Sequence, residues 1–196
     1  KGAIPFEANN VSLKKDADGL VSWTASSTQD GIRFENQASM EYDGYVHYDL
    51  KVSSDQTVVV KDIRLETNYT PYASEYFMGT GFSGGARPVS YKWDWKGPWD
   101  SYWIGNAKAG LHVEYRGGSY HGPLLNDYKP APPRAWANNG KGTIQVSGSK
   151  GGQSLVVAST GVDTLSAAPR SSEFDLLIAP LKPVNSAKHF SERYYD

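Results

Sequence analysis

Alternation of apolar and polar residues with a period of two, interrupted by glycine and proline, is the feature that most limits how this chain can fold. In residues 40 to 53 (MEYDGYVHYDLKVS), the apolar side chains share one parity, at Tyr42, Val46, Tyr48 and Leu50. Residues 57 to 69 (TVVVKDIRLETNY) repeat the pattern. This period is that of a β-strand with one buried face. We expect the two segments to be strands that pair across the intervening SSDQ turn.

The same periodicity predicts β-structure along most of the chain. Residues 11–15 and 20–25 flank a DADG turn and are expected to form a hairpin. Further strands are predicted over 74–81, 101–106, 110–117, 142–148, 154–160 and 173–181. The segments 87–98 and 121–140 lack a strand pattern and are predicted to be long loops. With 20 glycines, 11 prolines and no helical apolar period, the predicted fold class is an all-β antiparallel sandwich, jelly-roll-like or distorted, with aromatic-rich loops.

Composition narrows the classes of partner. Lysine and arginine number 20 against 21 acidic residues, for a formal net charge of −1, and this balance argues against nucleic-acid binding. The longest apolar runs, such as LLIAPL at 176–181, are shorter than the ~20 residues that a membrane helix needs. The chain of 196 residues contains no cysteine, which excludes disulfides and thiolate metal sites. We expect one sandwich domain over residues 1–186 and a linker over 187–196.

Motifs that would indicate catalysis or a bound ion are weak. GTGFSGGARP at 79–88 is glycine-rich but lacks the Lys-Ser/Thr ending of a phosphate-binding loop. DADG resembles the opening part of a calcium loop, but with Gly19 at the loop's glycine position six, the twelfth position is Ala25 rather than glutamate. The four histidines are scattered and are expected to be surface or hydrogen-bonded residues: His47, His112, His121 and His189. No cofactor and no metal site are predicted.

The stretch WDWKGPWDSYWIG, residues 93 to 105, holds four of the six tryptophans. Rings at this density either pack in a core or contact a ligand or a neighbouring domain, and the sequence leaves both open. A sugar stacks its C–H face on an indole while nearby polar groups bind its hydroxyls. The candidate carbohydrate-binding or interdomain residues are therefore Arg87, Trp93, Asp94, Trp95, Trp99, Asp100 and Trp103.

Asp94 and Asp100 are the carboxylates closest in sequence to these tryptophans. A glycosidase pair needs one protonated acid and one ionised partner, roughly 5 to 10 Å apart. The alternative is that both aspartates accept hydrogen bonds from backbone amides or from Lys92, Lys96 or Arg87, as loop aspartates commonly do. We expect the second arrangement, and no catalytic residue is predicted.

A series of sequence blocks carries a family resemblance. YFMGTGFSGGARP, WDWKGPWDSYWIGNAKAGLHVEYRG, YHGPLL, APPRAWANNGKGTI and the tail HFSERYYD resemble, in this order, the N-terminal β-sandwich domain of glycoside hydrolase family 123 and its relatives. The resemblance covers about residues 40–196. It implies a (β/α)8 catalytic barrel in the same parent chain, where an adjacent Asp-Glu pair supports substrate-assisted cleavage of terminal β-linked N-acetylgalactosamine. No matching pair is present in this chain.

The resemblance therefore implies a non-catalytic accessory domain of a glycoside hydrolase, whose aromatic loop docks against the barrel or borders its substrate cleft. On this hypothesis Arg87, Trp93, Trp95 and Trp99 lie together at one end of the sandwich. The alternative is an independent carbohydrate-binding module that holds glycans containing N-acetylgalactosamine through surface Trp and Asp side chains. The chain begins with Lys1 and shows no signal-peptide pattern, so we expect a piece of a longer protein. A secreted, periplasmic or cell-surface location is expected from the family.

Overall fold

Antiparallel β-sheets make up most of the molecule. A computed structural model describes residues 2–96, 99–117, 132–179 and 185–191. The strands are β1 (Asn9–Ala17), β2 (Leu20–Gln29), β3 (Ile32–Glu41), β4 (Tyr45–Ser54), β5 (Val58–Val60), β6 (Arg64–Tyr69), β7 (Tyr76–Gly79), β8 (Phe82–Ala86), β9 (Ser90–Trp93), β10 (Ser101–Gly105), β11 (Gly110–Arg116), β12 (Thr143–Gly148), β13 (Ser154–Ser159), β14 (Asp163–Leu165) and β15 (Arg170–Ala179). The helical segments are α1 (Arg134–Ala137), a 3-10 turn (Asn138–Gly140) and α2 (Ser186–Ser191).

The strands form two main sheets. The large sheet has nine strands in the order β1-β2-β3-β4-β15-β11-β10-β7-β8, and the small sheet has four in the order β6-β13-β12-β9. A two-stranded ribbon joins β14 to β5. All pairings between described strands are antiparallel. The predicted all-β antiparallel sandwich is confirmed.

Local turn chemistry explains the meander that starts the large sheet. The predicted hairpin is confirmed, since β1 pairs with β2 through a turn at residues 18–19. The next turn, Asp30-Gly31, has positive φ at both residues, 53° and 76°. That geometry suits the right-handed twist of a tight hairpin, and Asp-Gly is a preferred dipeptide for it. The turn leads into β3, a strand that the period-two pattern did not predict.

The strand predicted over residues 40–53 is wrong at its start. A turn over residues 42–44 separates β3 from β4, with Gly44 at φ 88°. The predicted pairing with residues 57–69 is also wrong, because β4 pairs with β3 and β15. Residues 57–69 instead give β5 in the ribbon and β6 in the small sheet. Alternation identifies a buried face, but it does not say which sheet supplies the partner.

The two predicted long loops contain regular structure. Residues 87–98 include β9, which pairs with β12 in the small sheet. Residues 132–140 include α1 and the 3-10 turn, and the rest of the second predicted loop, 121–131, lies outside the described residues. The predicted domain boundary at 186/187 falls within α2 and stays a prediction. No helix in the described ranges is long and apolar enough to cross a membrane.

The hydrophobic core lies between the large and small sheets. Its buried residues come from β7, β10, β11 and β15 on one side, from β12 and β13 on the other, and from the α1 region: Phe77, Tyr102, Ile104, Val113, Tyr115, Phe174, Ile144, Val146, Val156, Ala158 and Trp136. Trp136 donates its indole Nε1–H to the Glu173 carbonyl over 2.7 Å, which fixes α1 against β15. Because side chains alternate along each strand, the residues that lie between the core positions of β7, β10, β11 and β15 point to the opposite, outer face of the large sheet.

Candidate functional site

Trp93 and Trp95 pack in the interior of the sandwich. Trp93 is part-buried at the end of β9, and its ring lies so close to Gly81 that a Cβ at that glycine would overlap it. Trp95 is 7% exposed and meets the Tyr115 ring edge-to-face, with the centroids 5.6 Å apart. Each indole Nε1 is buried without a hydrogen-bond partner among the described residues. Both rings therefore have packing roles.

Arg87, Asp94 and Trp99 have different surroundings. The Arg87 guanidinium donates hydrogen bonds to three backbone carbonyls: that of Ser74 at 2.9 Å, that of Pro88 at 3.0 Å and that of Ser149 at 2.7 Å. It thus ties the β12–β13 turn to the segment around β7. Asp94 forms an exposed ion pair of 2.8 Å with Lys92. The Trp99 side chain is 53% exposed.

That Arg87, Trp93, Trp95 and Trp99 lie together at one end of the sandwich stays a prediction, although the exposure of the three rings differs. Trp93 and Trp95 have packing roles, and the Arg87 guanidinium donates its hydrogen bonds to backbone carbonyls. Trp99 alone among the four has an aromatic ring mainly in solvent. Whether any of the seven candidate residues contacts a glycan or another domain stays a prediction.

Asp100 is a buried carboxylate at the start of β10. It is 3% exposed, and its Oδ2 has no hydrogen-bond partner among the described residues. Burial, with a smaller contribution from the nearby charge of Glu114, raises the pKa of Asp100 to about 6. The Asp100 carbonyl accepts the amide N–H of Tyr115 over 2.9 Å, so the stretch before β10 is attached to β11.

Trp103 lies on the outer face of the large sheet, because its neighbours Tyr102 and Ile104 point into the core. A Cβ built at Gly110 would lie 2.6 Å from the Trp103 ring, and one at Gly105 would lie 2.7 Å from it. The indole therefore rests directly on the backbone of these two paired glycines. Glycine at both positions is what allows the ring to lie close to the sheet.

Six polar side chains lie on the same outer face as Trp103, and we call them the outer-face cluster. Its members come from β4, β11 and β15: Tyr45, His47, His112, Glu114, Arg116 and Asp175. The strand register sets their positions, since Asp175 is opposite both His47 and Glu114, and His112 is opposite Trp103. The outer-face cluster and Trp103 therefore occupy adjoining positions on three neighbouring strand pairs.

Asp175 is the centre of the outer-face cluster and is only 2% exposed. The Nδ1 atom of His47 lies 2.7 Å from Asp175 Oδ1. Arg116 forms an ion pair with Asp175 through Nε and donates from Nη2 to Glu114 Oε2 over 3.1 Å. The Tyr45 hydroxyl also hydrogen-bonds to Asp175. A buried carboxylate is thus surrounded by donors, as the cost of burying its charge requires.

Tyr45 and His112 are held in their neutral forms beside the ion pair between Arg116 and Asp175. Burial, and then the hydrogen bond to the Asp175 carboxylate, raise the pKa of Tyr45 above its usual range. Burial lowers the pKa of His112, which favours its neutral imidazole. No group of three or more His, Asp or Glu within the described ranges is placed to hold a metal ion. The arrangement offers hydrogen-bond donors and acceptors rather than a strong net charge.

The sequence contains a local signal for part of the outer-face cluster. His47 and Asp49 are two residues apart, as are His112 and Glu114, so each pair projects from one face of its strand. The expectation that the histidines are scattered surface residues misses this shared spacing. Asp175 carries no such signal, because it joins His47 only through the pairing of β15 with β4.

The sequence from residue 1 to residue 180 matches a protein-family model described as "Glycoside hydrolase 123, third domain". The chain belongs to this family. The expected membership of glycoside hydrolase 123 is therefore confirmed, whereas the expected N-terminal position is not supported, because the matching model describes the third domain. No match to a curated protein was found.

Among solved structures, the glycoside hydrolase 123 domain is similar to a protein from Escherichia coli K12 described as a putative aldose 1-epimerase. The two share 9% identity with a TM-score of 0.49, over 90% of this chain and 69% of that one. It is also similar to the Slr1438 protein from Synechocystis sp. PCC 6803, with 7% identity and a TM-score of 0.40. That match covers 89% of this chain and 66% of the other.

Proposed function

We propose that this chain is a non-catalytic β-sandwich accessory domain of a glycoside hydrolase, which docks against or borders the catalytic barrel of the same polypeptide. Its family is a domain of a larger glycoside hydrolase, which supports a catalytic partner domain. The observation that carries the docking role is the loop between β9 and β10. Trp95 and Asp100 are buried on either side of Trp99, whose ring is mainly exposed.

An exposed indole on an attached loop is well suited to an interdomain contact. A tryptophan buries a large apolar area with few rotatable bonds, and such residues are enriched among those that dominate binding energy. The loop ends are already ordered by core packing and by the Asp100 backbone hydrogen bond. Less conformational entropy is then lost when the indole is covered.

The docking role is tested by supplying the catalytic barrel of the parent polypeptide separately and measuring its binding to this chain by calorimetry. Trp99→Ala is expected to weaken binding about tenfold or more, in line with the loss of a central aromatic contact. Tyr42→Ala is the matched control, since Tyr42 is an aromatic residue in the β3–β4 turn with 77% exposure. If the catalytic barrel binds the wild-type and Trp99→Ala chains with equal affinity, the proposal that this loop docks is wrong.

A second candidate is an independent carbohydrate-binding module. It is favoured by the exposure of Trp99 and of the ion pair between Asp94 and Lys92 of β9, which put an aromatic ring and polar groups from one short stretch of the chain in solvent. Glycans containing N-acetylgalactosamine are the first ligands to test. Binding of such a glycan by this chain alone, lost on Trp99→Ala, would favour the module over the docking domain. A secreted, periplasmic or cell-surface location accompanies either proposal.

A further inference from the structure

We propose that the outer face of the large sheet holds a binding subsite for a neutral saccharide, with Trp103 as its stacking surface and the outer-face cluster as its hydrogen-bonding side. This inference deepens the proposed function, on which it rests for the choice of a saccharide, by naming a site and a ligand class. It centres on Trp103 rather than on Trp99, so the separate indole signals of the two residues distinguish its failure from that of the proposed function.

Trp103 supplies the aromatic surface. Its ring rests on the backbone of Gly105 and Gly110, which fixes the plane of the indole close to the sheet. Trp103 is only part-buried, and its cross-strand neighbour Met78 is about half exposed. A ring held on one side by two glycines and partly open to solvent is preorganised to receive the apolar C–H face of a pyranose.

The hydrogen-bonding side lies next to this ring. His112 is opposite Trp103, and Glu114 and Arg116 follow at alternate positions on the same strand. Asp175 is one strand further and two residues along, so the distance from Trp103 to Asp175 combines two strand spacings with two residue rises, or roughly 12 Å. That length matches one or two pyranose rings. Sugar sites combine apolar stacking with a few fixed polar groups in this way.

The charges of the outer-face cluster decide the class of saccharide. Arg116 is already paired with Asp175 and Glu114, so its charge is compensated and is a poor partner for a phosphate, sulfate or uronate. Glu114 and Asp175 share this one cation, but Asp175 is only 2% exposed and Glu114 Oε2 is bonded to Arg116, which limits pairing of either carboxylate with the ammonium group of an amino sugar. The remaining donors and acceptors on His47, His112 and Glu114 match hydroxyl or acetamido groups.

The test is an NMR titration of this chain that follows the indole N–H signals. The probes are methyl β-galactoside, N-acetylgalactosamine and an N-acetylgalactosamine disaccharide, with glucuronate and glucosamine as charged controls. We expect a saturable shift of the Trp103 signal with the neutral sugars at millimolar concentration. We also expect Glu114→Gln and His47→Ala to weaken binding about tenfold each, since each removes a hydrogen-bonding group. Tyr42→Ala should leave it unchanged.

The outcomes separate this site from the proposed function. Two-dimensional spectra of the free variants establish that each is folded, and Glu114→Gln keeps the size of the side chain if His47→Ala does not fold. No shift of Trp103, or stronger binding of glucuronate or glucosamine than of the neutral sugars, would overturn the inference. A shift confined to Trp99 would overturn it as well and would support the Trp99 module instead. If Trp99→Ala does not change the affinity for the barrel, the docking proposal fails, but the shift of the Trp103 signal with sugars still tests this site.

Discussion

His47 Nδ1 lies 2.7 Å from Asp175 Oδ1, although the two residues are 128 positions apart in the chain. The contact exists because β15, near the end of the chain, inserts between β4 and β11 in the middle of the large sheet. Asp175 therefore receives donors from both neighbouring strands, from His47 and Tyr45 on one and from Arg116 on the other. The outer-face cluster is thus a property of the completed sheet.

Asp175→Asn tests how much this arrangement stabilises the fold. The substitution keeps the shape of the side chain but removes the charge that compensates Arg116, so we expect a loss of about 2 to 4 kcal/mol in the free energy of unfolding. Urea denaturation at pH 7 provides the measurement. Asp94→Asn is the control, because its exposed ion pair with Lys92 is expected to contribute no more than about 1 kcal/mol. Similar losses for both variants would contradict the central role of Asp175.

Trp95→Ala and Trp99→Ala should separate the two roles of the tryptophan-rich stretch. Trp95 is buried against Tyr115, and we expect its truncation to lower the free energy of unfolding by about 3 to 5 kcal/mol. Trp99 is mainly exposed, and its truncation should change that free energy by no more than about 0.5 kcal/mol. Chemical denaturation of the two variants under identical conditions makes the comparison. A large loss for Trp99→Ala would mean that its ring is part of the core.

The sequence predicts most of the strands because their information is local. Alternation together with flanking turn residues located β10, β11, β12, β13 and β15 to within a few residues. It did not locate β8, β9 or β14, which have three to five residues and so contain too few positions to show a period. Nor did it separate β3 from β4, since the alternation runs through their turn.

The partners of the strands, and hence the site, are not local properties. Alternation predicts a hairpin between residues 57–69 and the segment before them, yet β6 pairs with β13, whose residues are 85 to 95 positions away. The outer-face cluster depends on the same kind of pairing, because it needs β15 beside β4 and β11. The tryptophan-rich stretch could be found from composition, but only burial separates Trp95 from Trp99.

Gly110→Ala tests whether glycine holds Trp103 close to the sheet. An added Cβ would lie 2.6 Å from the indole, so the ring must move or tilt. We expect a loss of about 1 to 3 kcal/mol in the free energy of unfolding, as for other overpacked sites. The indole N–H signal of Trp103 should also shift. Gly117→Ala is the matched control, because nothing lies within 4 Å of a Cβ there. An unchanged Trp103 signal in Gly110→Ala would contradict the contact.

Asp100→Asn should change how stability depends on pH. Burial and the nearby Glu114 raise the pKa of Asp100 to about 6 from a usual 3.8. Between these values the folded state holds a proton that the unfolded state has lost, so the contribution of Asp100 is present below pH 3.8 and is lost as the pH rises through about 6. Asparagine removes this dependence while keeping the side chain neutral. Relative to wild type, the variant should therefore gain up to about 3 kcal/mol between pH 4 and pH 7.

Urea denaturation of both proteins at intervals across that pH range measures the difference directly, and other titrating groups cancel because they are common to both. Asp94→Asn removes a carboxylate from the same stretch at an exposed position, so it reports any general effect of losing one negative charge. A difference between Asp100→Asn and wild type that stays constant with pH would show that Asp100 is ionised in the folded protein throughout. In that case a hydrogen-bond donor must satisfy its Oδ2 atom in the folded protein.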